Sequence, residues 1–381
     1  MLKVLSVFGT RPEAIKMAPV VKELLKYPDR IDSRVCVTAQ HRQMLDQVLG
    51  LFKIIPHIDL DLMEENQSLA SLTGKAMGAL TEVLERDRPD LVLVQGDTTT
   101  AMISALAAFY QKVPVGHVEA GLRTHDRYSP FPEEMNRRLI SALASFHFAP
   151  TESARQALRR EGASEESTFL TGNTVIDALL WVTGQEPSLE TQSLLSRLGL
   201  NGSSVRFRGK TILVTAHRRE NFGQPLENIC FALRDLVSRN PDIQIVYPVH
   251  MNPNVRTPVQ RILGGQERIH LIEPLPYEAF AHLMKRSYLI LTDSGGIQEE
   301  APTLGKPVLV LRQETERPEA VRAGTAKVVA TEARDIVTAT ESLVSNRGEY
   351  EQMARTVSPF GDGHAAERIV NIILGKLAMV S

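Results

Sequence analysis

The feature that most restricts how this chain can fold is an alternation that occurs twice along it. Short apolar, β-branched runs at Leu2–Phe8, Val35–Thr38, Leu91–Gln95 and Val113–Val118 are separated by stretches of helical periodicity such as Pro12–Lys26 and Thr98–Tyr110. Runs of this kind are strands covered on both faces, and their alternation with helices marks parallel βαβ units. A second series begins at Thr211–Thr215 and continues through Ile243–Pro248, Ile269–Ile272, Tyr288–Thr292 and Pro307–Leu311. Between the two lies Gly184–Gly209, polar and rich in Ser and Gly, after a helical segment at Val175–Val182. The expected fold is α/β, with two Rossmann-like, doubly wound parallel-sheet domains and a cleft between them. The length of 381 residues agrees, because a single core stops growing at roughly 250–300 residues. Residues 1–171 are expected to form the first domain and residues 172–363 the second, with a hinge near Thr171–Trp181. Residues 364–381 form a helix expected to return to the first domain, since Ala365–Leu377 has apolar residues at helical spacing.

Composition excludes several function classes. Forty-three basic and forty-five acidic residues leave a formal charge of -2, so no general field draws the chain to nucleic acid or to an anionic membrane. An anionic ligand has to be held by local clusters. The two cysteines, Cys36 and Cys230, are far apart in apolar surroundings and supply neither a disulfide framework nor a zinc site. They are expected to be buried thiols of a reduced, cytoplasmic protein. The apolar start is broken by Gly9 and Arg11, and no later run is long enough to span a bilayer.

Chemistry-bearing residues cluster where the strands end. Phe8-Gly9-Thr10-Arg11-Pro12-Glu13 leads from the first strand into a helix, with Pro12 in its first turn, and Arg11 and Lys16 beside that N-terminus make an anion site. The plainer reading is an ordinary turn with exposed bases. No G-x-G-x-x-G follows the strand, which argues against a dinucleotide there. Asp97 in Gln95-Gly96-Asp97-Thr98 lies at the next strand end, where open α/β sheets bind ligands, unless it is simply a helix N-cap. Glu119 closes the strand after that, unless it is a solvated carboxylate paired with Arg123. Glu133 begins a further helix, where the helix dipole alone could account for it. Three such carboxylates on one rim of one sheet carry more weight than any one of them.

In the second series, Thr292-Asp293-Ser294-Gly295-Gly296 followed by Gln298-Glu299-Glu300 is the most informative segment. Two glycines after a buried strand let backbone N–H groups approach a phosphate at a helix N-terminus, and Glu300, one turn on, can accept from ribose hydroxyls. His217, with Arg218 and Arg219, closes the first strand of this half, and His250 and Arg317 lie on later turns; His250 by itself is better read as structural. Asp59-Leu60-Asp61 has the form of a metal-binding D-x-D, but its alternation with Ile58 and Leu62 suits a half-exposed strand, and no metal is expected. Met44, Met77, Met102 and Met135 read as core filler.

With those residues in view, the chain resembles the bacterial non-hydrolysing UDP-N-acetylglucosamine 2-epimerases, a family with the two-domain GT-B fold. The segments FGTRPEAIKMAP, VTAQHR, QGDTTT, HVEAGLRT, TGNTVIDAL, HRREN, LTDSGGIQEEAP, GKPVLVLR and TERPEA run in order from residue 8 to residue 320. The resemblance implies substrate or catalytic roles for Arg11, Lys16, Asp97, Glu119, Glu133 and His217. It implies UDP-binding roles for Ser294, Gly295, Gly296, Glu300 and Arg317, and a place in the uracil pocket for Phe280. UDP-N-acetylglucosamine and UDP-N-acetylmannosamine are the implied ligands, with no cofactor. A homodimer is implied too, as is a regulatory second sugar-nucleotide site around Gln40, His41, Gln43 and Gln67. Pro274–Tyr277 is less typical of the family than its surroundings.

The implied reaction explains the residue types. The hydrogen on C2 of the sugar is not acidic, because no carbonyl lies next to it. Expelling UDP from C1 while a base takes that hydrogen gives 2-acetamidoglucal; reprotonation on the other face and return of UDP complete the epimerisation. This route needs carboxylates near C2 and cations at the departing diphosphate. A glycosyltransferase of the same fold or a hydrolysing 2-epimerase would use the same UDP site, and a nucleotide-sugar sensor would need no catalytic carboxylates. The motifs of the first half favour the epimerase, whose product is expected to feed cell-surface polysaccharide synthesis.

Overall fold

A computed structural model describes residues 1–38, 42–62, 67–200 and 209–377, with only the backbone of Gln43 and Leu377. The chain divides into two compact units, Met1–Ala178 with Phe360–Ser381, and Leu179–Pro359. The first is built on strands β1 (Leu2–Phe8), β2 (Ile31–Val37), β3 (Ile58–Asp59), β4 (Leu91–Gln95), β5 (Val115–Val118), β6 (Phe146–Ala149) and β7 (Thr168–Leu170). They form one parallel sheet in the order β3-β2-β1-β4-β5-β6-β7. The second unit contains β8 (Lys210–Thr215), β9 (Ile243–Pro248), β10 (Ile269–Ile272), β11 (Leu289–Thr292), β12 (Val308–Val310) and β13 (Ala326–Val328), parallel in the order β10-β9-β8-β11-β12-β13. Both sheets are doubly wound, and strand order reverses between β1 and β4 in one and between β8 and β11 in the other. At such a point the following loops diverge and leave room at the carboxyl ends of the strands.

Sequence dictates the central strands through burial. All five residues of β4 and all four of β5 and β11 are buried, as expected for strands with helices on both faces. In the first unit Leu5, Val7, Val92 and Val94 pack against Leu80 and Ile103 from the helices Leu69–Asp87 and Thr99–Tyr110. In the second, Ile212, Val214 and Leu291 pack with Ile229, Leu233 and Ile336. Cys36 and Cys230 belong to these cores, and burial pushes both thiols up to about 12, which makes them chemically quiet.

The units meet the chain a few residues from the boundaries expected from sequence. The helix Thr174–Gly184 carries the chain from the first unit into the second, with the division after Ala178. Residues 172–178 stay with the first unit because the returning segment is fastened to them. The Asn173 N–H donates to the Phe360 carbonyl at 2.7 Å, and the Asp177 carboxylate accepts from Ala366 N–H at 2.8 Å. Burial pushes the Asp177 carboxyl up to about 6. The helix Ala365–Leu377 packs against Arg11–Leu24.

Other local expectations are revised. The polar stretch after residue 184 contains a helix, Leu189–Arg197, started by Ser188, whose hydroxyl accepts from Thr191 N–H. Met44 is 42% exposed and is not core filler, whereas Met77 and Met102 pack against the first core. Around Asp59 the alternation of exposure is present, but pairing with β2 extends only over Ile58–Asp59, and Asp59 is held by Arg42 at 2.6 Å. Among the described residues no group of three or more His, Cys, Asp or Glu could hold a metal ion, and no helix is long and apolar enough to cross a membrane.

Candidate functional site

In the first unit β1, β4 and β5 are neighbours and parallel, so the loops that follow them emerge on one edge of the sheet. Gly9 ends β1 where a side chain would not fit: a Cβ there would lie 2.0 Å from the Thr38 hydroxyl. Thr10 then caps the helix Arg11–Leu24 in a complete capping box with Glu13. Glu13 is buried, and its Oε2 accepts from the N–H groups of Gly9 at 3.0 Å and Thr10 at 2.8 Å, while the Thr98 hydroxyl donates to Oε1 at 2.6 Å. Burial raises the Glu13 pKa, against the pull of those hydrogen bonds. This corrects one sequence reading. The N-terminus beside Arg11 and Lys16 already carries the chain's own carboxylate, so it is not an open anion site. Arg11 opens the helix, and Lys16, one turn on, reaches Glu119 instead, with Nζ 2.6 and 2.7 Å from its two carboxylate oxygens.

Glu119 follows β5 directly in left-handed backbone, φ +64°, a conformation that costs a non-glycine residue and is held here from several sides. Besides Lys16, its carboxylate accepts from the side-chain amides of Gln95, at the end of β4, and Asn173, the latter at 2.9 Å. Arg123 does not pair with it. That guanidinium binds Glu161 at 2.6 Å. Asp97 is not the cap of the helix Thr99–Tyr110, a position taken by Thr98. Its Oδ2 instead accepts from Arg137, Nε at 2.8 Å and Nη2 at 2.7 Å, and its carbonyl accepts from the Asn136 amide at 2.8 Å. Glu133 is the first residue of the helix Glu133–Leu143 and half-buried, and its Oε2 is buried without a hydrogen-bond partner. The adjacent Glu134 is fully buried and accepts from Thr124 N–H at 3.0 Å and from Arg137 and Arg138. Although burial raises its pKa, those donors win and hold it below the usual value.

The second unit repeats the topology with different chemistry. Asp293, just beyond β11, is fully buried, and its Oδ2 accepts from the N–H groups of His217 and Arg218, both at 2.8 Å, and from the Asn221 amide at 3.0 Å. One carboxylate thus ties the loop after β8 to the loop after β11. Its Oδ1 lies 3.6 Å from His217 Nδ1, and the His217 ring stacks on His250 with centroids 5.4 Å apart. Burial lowers the His217 pKa, and His250 and Arg218 push it the same way, against Asp293.

Ser294 then opens the helix Gly295–Thr303 without a side-chain capping bond, and its first turn holds no acidic residue. A Cβ placed on Gly295 would lie 3.7 Å from Glu316 Oε2, 3.8 Å from Arg218 Nη2 and 3.9 Å from Arg317 Cζ, so two guanidinium groups flank this helix start together with one carboxylate that is paired to Arg218 and Arg312. Arg317 is steadied by Glu299, and Glu300 accepts from the Tyr277 hydroxyl at 2.9 Å. Phe280 is half-buried on the neighbouring helix Tyr277–Arg286. N–H groups, two cations and a carboxylate one turn on are what a nucleoside diphosphate requires.

Sequence reasoning missed Gln95, Arg137 and Asn173 as partners of the carboxylates and Tyr277 as the partner of Glu300. A pair such as Asp97 and Arg137, 40 positions apart, has no local pattern; only the Gln95-Gly96-Asp97 juxtaposition gave a signal. Gln40 and His41 lie outside the described residues, as does the side chain of Gln43, while Gln67 lies just before the helix Leu69–Asp87.

Comparison with known proteins places this geometry. The family model described as UDP-N-acetylglucosamine 2-epimerase matches residues 23–374. A UDP-N-acetylglucosamine 2-epimerase of Escherichia coli O157:H7 is 56% identical over 372 residues, 98% of each chain. The chain belongs to the UDP-N-acetylglucosamine 2-epimerase family. Solved relatives agree along the whole length. The UDP-GlcNAc 2-epimerase of Neisseria meningitidis bound to UDP-GlcNAc is 51% identical with a TM-score of 0.87, covering 98% of this chain and 100% of that one. MnaA of S. aureus, solved with UDP, is 50% identical with a TM-score of 0.86, covering 99% and 97%.

Proposed function

We propose that this chain interconverts UDP-N-acetylglucosamine and UDP-N-acetylmannosamine without a cofactor, by elimination and re-addition of UDP. The second unit holds the UDP moiety, with the N–H groups of Ser294, Gly295 and Gly296 and the guanidinium groups of Arg218 and Arg317 on the diphosphate. Glu300 accepts from the ribose hydroxyls, and Phe280 lines the uracil. The first unit acts on the sugar. As the C1–O bond breaks, its electron pair leaves with UDP and the C2–H pair becomes the C1=C2 bond of 2-acetamidoglucal. Return of a proton to C2 on the opposite face and attack of UDP oxygen on C1 give the epimer.

The observation that carries this reading is the cluster of three carboxylates with unequal partners. Glu133 keeps a buried oxygen with no donor on it, which suits it to accept or deliver a proton. Asp97 binds Arg137 through one oxygen, Oδ2. Glu119 is saturated by Lys16, Gln95 and Asn173 and serves as a fixed negative charge beside the reacting carbon, with Lys16 and Arg11 balancing it. His217 assists the departing diphosphate from the other unit. The product would supply activated N-acetylmannosamine for cell-surface polysaccharide.

The test is turnover of UDP-N-acetylglucosamine in deuterium oxide, followed by NMR. The expected result is a UDP-N-acetylmannosamine anomeric signal, with deuterium at C2 of both epimers. Absence of that signal overturns the activity, and products that keep all their C2 protium after many turnovers overturn the elimination.

A further inference from the structure

His117 is fully buried on β5, two residues before Glu119, and the epimerisation chemistry does not use it. Its Nε2 lies 2.7 Å from the carbonyl oxygen of Gly96. A carbonyl only accepts, so Nε2 carries the proton, and Nδ1 is left as a buried lone pair with no partner. Burial keeps the ring neutral, with a pKa brought down to about 3; His147 and Arg123 act in the same direction, outweighing the Gly96 bond and Glu119. His147 faces it across the β5–β6 pairing and is likewise held low, at about 4. The ring is therefore a permanent donor.

What it donates to explains its place. Gly96 joins Gln95, whose amide binds Glu119, to Asp97, and it does so at φ +70°, where glycine has no preference of its own to fix the turn. The N–H of Gly96 donates to the Val118 carbonyl at 3.0 Å, so both polar groups of this residue are tied to consecutive residues of β5. A Cβ on Gly96 would lie 3.7 Å from Glu119 Oε2. We propose that His117 is a positioning residue for the reaction: through the Gly96 carbonyl it sets the spacing between Asp97 and Glu119. The inference rests on the reading that these carboxylates act on the sugar.

The variants His117→Gln and His117→Asn separate this role from general packing. Both place a neutral amide in the same buried position, but a Gln amide reaches where Nε2 sits and an Asn amide only where Nδ1 sits. Because misplacing a reacting group by an ångström can cost about 10²-fold, the Asn variant is expected to lose about that much in kcat while the Gln variant stays within about tenfold of the parent. KM should hold in both, and their melting temperatures should match, which a merely structural role would not predict alongside unequal kcat. Equal losses in the two variants, parental kcat in both, or a loss confined to KM overturns the inference. A parent enzyme with no epimerase activity would instead overturn the functional reading. Nitrogen-15 NMR of the parent protein gives a check that needs no variant: a neutral Nε2–H tautomer throughout pH 5–8 is expected, and a Nδ1–H tautomer or an imidazolium in that range overturns the proposal.

Discussion

Each unit launches a helix from a central strand at its topological switch, and the two N-termini are treated in opposite ways. In the first, Glu13 folds back onto the N–H groups of Gly9 and Thr10, so the positive end of the helix is neutralised by its own sequence. In the second, Ser294 makes no side-chain cap, no acidic residue occupies the first turn, and Arg218 and Arg317 stand beside Gly295, with the Glu316 carboxylate between the chain's own cations rather than on the N–H groups of a capping box. In the proposed reaction the same strand–turn–helix geometry therefore serves once as a closed structural joint and once as a seat for an anion. The difference lies in one carboxylate and two glycines. The proposed function divides the labour in the same way, giving the first unit's rim proton transfer and the second's the phosphate.

The largest effect that tests this division comes from the carboxylates. Asp97→Asn and Glu133→Gln are each expected to lower kcat by about 10²–10⁴-fold, the usual worth of acid–base groups, and Glu119→Gln, which removes the fixed charge, by a similar factor, while calorimetric titration finds UDP affinity unchanged in all three. Weakened UDP binding in all three would break the division. A smaller effect is expected from Gly295→Ala. The added methyl would meet its neighbours at 3.7 Å or more, so the melting temperature should hold, but it covers the N–H groups and should weaken UDP binding about tenfold, about 1.4 kcal/mol. Unaltered UDP affinity would mean that the anion sits elsewhere. The smallest functional change belongs to Glu13→Ala. Stripping an acceptor from buried N–H groups should cost about 1–3 kcal/mol in a denaturant titration and leave UDP affinity as it was. A change in UDP affinity with no loss of stability would reverse the roles assigned to the two helix starts.

Legibility in the sequence followed the range over which each signal acts. Central strands such as Leu2–Phe8 and Leu91–Gln95 announced themselves because burial on both faces demands unbroken apolar runs. The strands β6, β7 and β13 did not: they are three or four residues long, and β7 and β13 lie at sheet edges, where one side needs no apolar cover. The helix Leu189–Arg197 was hidden by the Ser and Gly around it, although Ser188 is a normal start signal. At the candidate site, the helix start at Gly295 and Gly296 was readable because the signal for a strand–turn–helix junction is local. The pairing of Lys16 with Glu119, 103 positions away, was not, and the resemblance supplied both residues without the bond between them. Glu13 shows the limit from the other direction: the capping box was present in the letters, yet reading bases as an anion site overlooked the carboxylate that fills it.

The return of the chain to its first unit also governs how the molecule is made. The helix Ala365–Leu377 covers the flank of Arg11–Leu24 and is pinned by Asp177, so the first unit lacks one of its walls until that helix has left the ribosome. All of Leu179–Pro359 is synthesised in the meantime and can fold as it emerges, domain by domain. During that interval the nascent chain carries an apolar helix face with no cover, which is the kind of surface chaperones bind. The unit begun first is completed last.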